Sequence, residues 1–236
     1  MIEEKLELWI DTNLRPVADQ MALDEAIFHS SARDERTRAR FYHWDQDAVT
    51  VGYFHDFEKE PHLDEKIPIS RRMTGGGLVE HGNDITFLLA FPKNSSISKL
   101  TGNERYYQIH LALSDALTES GVPVKLVETA TTAKGPCFSA PVLQDIVCPD
   151  SGEKLVGGAQ RRSGGAIIHQ GSVRVPEIHR HLQAQWIPDF LEKIAKQILP
   201  LDENLRKELE EDAIQLKMNR YGTEDWNRLS SKTRIN

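Results

Sequence analysis

The chain has 236 residues, and 29 Lys and Arg against 36 Asp and Glu give it a formal net charge of −7. That length suffices for one large domain with a buried core, and the acidic balance argues against nucleic-acid binding, which needs a positive field. Two cysteines cannot make a disulfide framework, no His, Cys or carboxylate spacing suggests a metal site, and there is neither an apolar run of ~20 residues nor a basic, apolar leader, so a cytoplasmic, reducing setting without membrane attachment is expected.

In chain order, residues 6–10 (LELWI) read as a short strand. Residues 19–30 have helical spacing, with Met21, Leu23, Ile27 and Phe28 on one side and Asp24 and Glu25 expected outside. Strands are expected at 40–42 and 48–54, parted by a turn at 45–47. Residues 67–71 and 78–79 flank a glycine triplet, and 85–91 form a buried strand ended by Pro92. Residues 104–119 are helical, with Gly121 as a stop. Residues 122–127, 143–147, 154–159 and 166–175 read as strands, with a loop at 129–141 and hinges at 148–152 and 161–165. The highly charged stretch 188–220 reads as two helices broken at 199–202. This order predicts an α+β fold with a mixed, mostly antiparallel sheet flanked by helices. It fits one domain over residues 1–236, with 188–236 as a helical C-terminal extension.

Four local features could carry chemistry. Arg71-Arg72-Met73-Thr74-Gly75-Gly76-Gly77, followed by Val79 and His81, sets three glycines between two strands. Such a loop is either a plain tight turn or a cradle whose N–H groups approach a carboxylate, a phosphate or a thioester carbonyl. It lacks the Gly-Lys-Ser/Thr of a phosphate-binding Walker loop and the spacing of a dinucleotide fingerprint. Beyond Asp145, Lys154 leads a short apolar strand into Gly157, Gly158 and Ala159, so it is either a solvated strand-end lysine or a cation reaching a carbonyl oxygen across a glycine floor. Cys137 lies in a Gly- and Pro-bounded loop, open to either an aimed thiol or a buried inert one, while Cys148 next to Pro149 suits the inert role. His81 and His169 are isolated histidines, the usual state of structural ones.

Together these pieces resemble the biotin/lipoate protein ligase catalytic family. The carriers are Asn13, residues 21–26 (MALDEA), 40–42, 51–54 (VGYF), 71–77 with His81, and 154–160 (KLVGGAQ), with a weaker echo at 221–227 (YGTEDWN). The resemblance implies catalytic roles for Cys137 and Lys154, and substrate-binding roles for Arg72, Thr74, Gly75, Gly76, Gly77, His81, Asp145, Gly157, Gly158, Ala159 and His169. Within the family, the segment 52–60, the position of Cys137 before the Asp145 strand and Gln144-Asp145 in place of Asn-Asp look like the cysteine-dependent octanoyltransferases. These move octanoyl from a carrier-protein thioester to a lysine of a lipoyl domain and need no cofactor.

The donor would be octanoyl-acyl carrier protein or an octanoylated H protein. The acceptor would be the lipoyl domain of H protein or of a 2-oxoacid dehydrogenase E2. Leu78, Val79 and Ile168 would line the octanoyl tunnel, and Arg71, Arg72, Arg161 and Arg162 would offer a basic patch to an acidic carrier. The triple glycine is closer to the ATP-dependent lipoate ligases, which would use ATP, Mg and free lipoate. A third reading is a non-catalytic binder of acyl chains or carrier domains. A biotin ligase is disfavoured, because its Gly-Arg-Gly-Arg loop is missing.

Overall fold

A computed structural model describes residues 3–56, 66–128, 142–176, 179 and 184–228. Eleven strands and four longer helices follow one another among these residues: β1 (Glu3–Arg15), α1 (Val17–Asp34), β2 (Thr37–Trp44), β3 (Ala48–Val51), β4 (Ile69–Arg71), β5 (Leu78–His81), β6 (Ile85–Phe91), α2 (Gly102–Glu119), β7 (Lys125–Leu126), β8 (Ile146–Val147), β9 (Lys154–Ser163), β10 (Ala166–Val173), α3 (Trp186–Ile194), β11 (Ala195–Pro200) and α4 (Glu203–Leu216). A π-helical turn, Lys217–Tyr221, leads into the short helix α5 (Glu224–Asn227).

Eight strands form one sheet in the order β11-β1-β2-β6-β10-β9-β8-β7, parallel at β11-β1-β2 and antiparallel from β2 onward. A second sheet, β4-β3-β5, carries the glycine loop between β4 and β5. The expected mixed, mostly antiparallel α+β architecture is what the chain adopts.

Strand side chains alternate between faces, and each face of the large sheet has its own core. Phe41, Phe87, Leu89 and Ile167 pack with Ile109 and Leu113 of α2 and with Trp186 and Phe190 of α3. Tyr42, Leu88, Ala90 and Ile168 pack with Met21, Leu23 and Ile27 of α1 and Leu209 of α4. α2 begins at a capping box in which Thr101 accepts from the Glu104 N–H and Glu104 accepts from the Thr101 N–H, which explains its start two residues before the apolar pattern.

Three expectations need correction. Asp24 and Glu25 are buried rather than outside, because each meets polar partners: Asp24 binds Arg40 (2.9 Å), Tyr42 (3.0 Å) and Gln170 (2.7 Å), and Glu25 binds Tyr221 and Arg220. The strand expected over 48–54 ends at Val51, and it joins the small sheet whereas β2 joins the large one. The break expected at 199–202 between the two C-terminal helices is longer and is a strand, β11, which pairs in parallel with β1 and supplies an edge strand of the large sheet.

Candidate active site

The loop 72–77 is set by groups on both sides of it. Arg72 turns its guanidinium inward, donating from Nη2 to the carbonyls of Gly75 (2.7 Å) and Gly77 (3.0 Å) and from Nη1 to that of Thr50 on β3 (3.2 Å). Gly52 backs onto the same loop so closely that a Cβ there would stand 1.9 Å from the Gly76 carbonyl oxygen, and Gly76 itself has φ 91, where a side chain is strained. Thr74 Oγ1 donates to Gln170 Oε1 (2.7 Å), and Gln170 Nε2 donates to Asp24 Oδ2. Asp24 in turn shares Arg40 with Asp11. Thus the loop is tied to a fully buried ion cluster beneath α1. Burial pushes the Asp24 carboxyl up, against the opposing pull of Arg40.

Arg71 is sequestered. Its guanidinium donates to the carbonyls of Gly52 (2.8 Å), His55 (2.8 Å), Trp226 (3.0 Å) and Asn227 (3.2 Å), while its own carbonyl accepts from Trp226 Nε1 (2.9 Å). The α5 region therefore staples β4, at the root of the glycine loop. This gives the 221–227 motif a structural task.

His81 bridges the two sheets. One ring nitrogen faces Asp84 Oδ2 (2.8 Å), the other Thr50 Oγ1 (2.9 Å), and the ring stacks on Trp44. Asp84 also accepts from Thr86 Oγ1, Ser172 Oγ and the Gly82 N–H. Burial raises the Asp84 carboxyl, but His81 and these donors outweigh burial and hold it well below the usual carboxylate range.

Lys154 opens β9. Its Nζ pairs with Asp145 Oδ2 at 2.8 Å, both side chains being buried. The lysine lies across Gly157, where a Cβ would stand 2.5 Å from Cε and 2.7 Å from Nζ, so the floor must be glycine for the cation to occupy it. Asp145 Oδ1 accepts from Tyr106 OH (2.7 Å), Asp145 Oδ2 accepts from the Val142 N–H (2.7 Å), and Tyr106 OH accepts from the Gly158 N–H (3.1 Å). Gly158 also lies against two imidazoles: a Cβ there would meet Nε2 of His169 at 2.6 Å and of His110 at 3.0 Å. Both Nε2 atoms are buried and without a hydrogen-bond partner among the described residues. Burial pushes His110 down to about 3 and His169 well below its ordinary value, so both rings are neutral.

These parts meet in a cleft between the glycine loop and β9–β10, with about 500 Å³ of empty space. Of the residues singled out from sequence, Arg72, Gly76, His81, Lys154, Gly157, Gly158 and Ala159 line it. Asp145 lies behind Lys154, and Thr74 behind Gln170. His169 projects from the other face of β10, against Phe87 and α2, one residue out of phase with the cleft. Val79 lines the cleft, whereas Leu78 and Ile168 belong to separate apolar cores. Cys137 lies outside the described residues.

Sequence reasoning missed Gln170, Ser172, Met21, Thr50 and Thr86, which also line the cleft, and Tyr106, which braces Asp145. Strict alternation along β10 would have found Gln170 and Ser172, since both face the α1 side. Nothing local marks Tyr106.

Residues 16–199 match the family model of the lipoyl protein ligase A/B catalytic domain. The chain belongs to this family. Among curated proteins it is similar to octanoyltransferase LipM of Moorella thermoacetica, 34% identical over 182 residues that make up 71% of this chain and 65% of that one. It is also similar to octanoyltransferase LipM of Bacillus cereus, 32% identical over 170 residues, 66% of this chain and 60% of that one. The chain thus spans under two thirds of the length of these curated relatives. Among solved structures, protein Ta0514 of T. acidophilum with bound lipoic acid superposes with a TM-score of 0.72 at 21% identity, covering 97% of this chain and 100% of that one. Lipoate-protein ligase A bound with ATP gives a TM-score of 0.71 at 21% identity, covering 95% and 98%. At these identities the likeness to the solved structures is one of fold.

Proposed function

We propose that the protein is an octanoyltransferase of lipoate assembly, moving octanoyl from a carrier-protein thioester to the ε-amine of a lysine on a lipoyl domain. The observation that carries this reading is the buried Lys154–Asp145 pair laid across Gly157 at the floor of the cleft. The LipM names of its relatives support it.

The Cys137 thiolate attacks the thioester carbonyl carbon. A new carbon–sulfur bond forms, the bond to the carrier breaks, and the carrier's sulfur leaves and takes a proton. The acceptor lysine nitrogen then attacks, a carbon–nitrogen bond forms, and the Cys137 sulfur leaves as the amine's proton passes to it. Through both steps Lys154 Nζ donates to the carbonyl oxygen as negative charge builds there, and the glycine loop offers backbone N–H groups to the acyl head. Exchange between thioesters is nearly isoenergetic and amide formation from one is downhill, so the reaction calls for no ATP and no metal. Octanoyl-acyl carrier protein or an octanoylated H protein serves as donor, an H-protein or dehydrogenase E2 lipoyl domain as acceptor, in the cytoplasm.

The test is incubation with octanoyl-acyl carrier protein in the absence of ATP, followed by intact-mass measurement. The expected result is a gain of one octanoyl group, absent from Cys137→Ala, and onward transfer to apo lipoyl domain. No adduct, or equal transfer by Cys137→Ala, overturns the cysteine route. Modification only with ATP and free lipoate would instead assign a lipoate ligase, the reading that the triple glycine at 75–77 favours.

A further inference from the structure

We propose that the end of β9 beyond Val156 is the docking surface for the acidic acyl-carrier protein that delivers the thioester, with Arg161 and Arg162 as its anion contacts and the buried Arg105 beside them. This rests on the transfer reading above.

The protein is acidic overall, and several of its arginines are neutralised internally: Arg15, Arg33, Arg38, Arg40 and Arg220 each hold a carboxylate. Arg105, Arg161 and Arg162 do not. Among the described residues they are fixed only by uncharged groups. Arg105 donates to the Leu100 carbonyl and to Gln160 Oε1 (3.3 Å), and Arg162 to the Ser98 carbonyl. Arg161 donates to the Met73 carbonyl (3.2 Å) and lies over the Tyr53 ring, 4.3 Å from its centroid. Three guanidinium groups are therefore oriented without being neutralised. Burial, and then the charge of Arg162, holds Arg105 below the usual guanidinium range, as expected where like charges gather with no counter-ion.

Their place in the fold gives the cluster its direction. β8 pairs with β9 only as far as Val156, so among the described residues β9 beyond that point has an unpaired edge, with arginines projecting from both of its faces. Arg161 is four residues from Gly157 and the Lys154 floor, about 13 Å along a strand. Its contact at Met73 adjoins the glycine loop. An acidic protein whose acyl group hangs from a phosphate-bearing arm fits this arrangement. Its carboxylates meet the exposed Arg162, and the planar fork of a guanidinium matches a phosphate. The basic patch expected from sequence is corrected in the process: Arg71 and Arg72 are buried and bind backbone carbonyls, so they cannot present a surface.

The test compares wild type, Arg162→Glu and Arg162→Lys with two donors: octanoyl-acyl carrier protein and octanoyl-N-acetylcysteamine, a small thioester with neither phosphate nor protein surface. Arg162→Glu is expected to raise KM for the carrier-bound donor by about tenfold or more and to flatten its salt dependence. Arg162→Lys should restore most of this, and turnover of the small thioester and KM for the acceptor lipoyl domain should stay at wild-type values. An unchanged carrier KM, an equal rise with the small thioester, or a rise confined to the acceptor would each overturn the proposal. Fluorescence anisotropy with labelled carrier reads docking without turnover. Binding without transfer would sink the transfer reading alone, and equal binding by wild type and Arg162→Glu would sink the docking surface.

Discussion

Two buried polar networks converge on the cleft, and they are built on opposite rules. The first, beneath α1, is closed: Arg40 sits between Asp11 and Asp24, and Tyr42 and Gln170 fill the remaining sites on Asp24. The second, around Lys154, borders the cleft: the ammonium meets the Asp145 carboxylate at the cleft wall, and the two neutral imidazoles behind Gly158 each have an Nε2 without a partner among the described residues. A closed network holds geometry and has no capacity left to bind anything. One at a cleft wall also presents a cation to an incoming oxygen. Gln170 carries the order of the first network to Thr74 and the glycine loop; Tyr106 carries that of the second to the Gly158 N–H.

Substitutions can separate the two rules. Lys154→Ala is expected to lower octanoyl transfer by ~10²–10⁴-fold, the usual range for a positioned proton or oxyanion partner, read from steady-state kcat on folded protein. If the closed network gave the larger loss of kcat, the contrast would collapse. Arg40→Met leaves Asp24 buried without a cation and Asp11 with Arg15 alone, so a stability loss of about 3–5 kcal/mol is expected in urea unfolding. In the fraction that remains folded, KM and kcat should change far less.

The imidazoles behind Gly158 add a pH signature. His110 falls from 6.5 to about 3 on folding, and His169 moves the same way. The unfolded chain therefore binds protons that the native state refuses, and stability is lost as pH falls below 6.5, down through about 3 for His110. Each ring contributes a slope of up to about 1.4 kcal/mol per pH unit. His110→Phe should reduce the slope of the urea midpoint between pH 4 and 6.5 to the share of His169, whereas an unchanged slope would mean the His110 ring is not buried neutral.

Tyr106→Phe gives the smallest effect. It removes the hydroxyl that braces Asp145 and should cost about tenfold in kcat at unchanged KM, with a shift in the pH–kcat profile. A loss of stability alone, with an unmoved profile, would return Tyr106 to a purely structural part.

How much of this was legible in the sequence depended on whether the signal was local. β6 ends where expected because an unbroken apolar run stops at Pro92, and the glycine loop and Lys154 with its glycine floor stand out by composition. β11 was hidden because Lys196 and Gln197 are both exposed on an edge strand, so its six residues between helices lack the alternation that marks a strand. Asp24 and Glu25 were placed outside because carboxylates rarely sit in a core unpaired, and their partners lie 16 to 196 residues away. His169 drew attention by its chemistry, but the pleat points it away from the cleft and aims Gln170 into it. Tyr106 is one aromatic residue on an amphipathic helix, and only the folded approach of α2 to β9 reveals its hydroxyl.

The staple on Arg71 has a consequence for how the molecule is made. The guanidinium waits for the backbone of Trp226, 155 residues further along the chain. At ribosomal speeds of about 5–20 residues per second, roughly 8–30 s separate the synthesis of the two partners. During that interval β4, at the root of the glycine loop, exists without its C-terminal fastening, and Arg71 has yet to meet the carbonyls of Trp226 and Asn227. A nascent chain halted before residue 220 would therefore hold every strand of its large sheet while the root of the glycine loop was still unstapled.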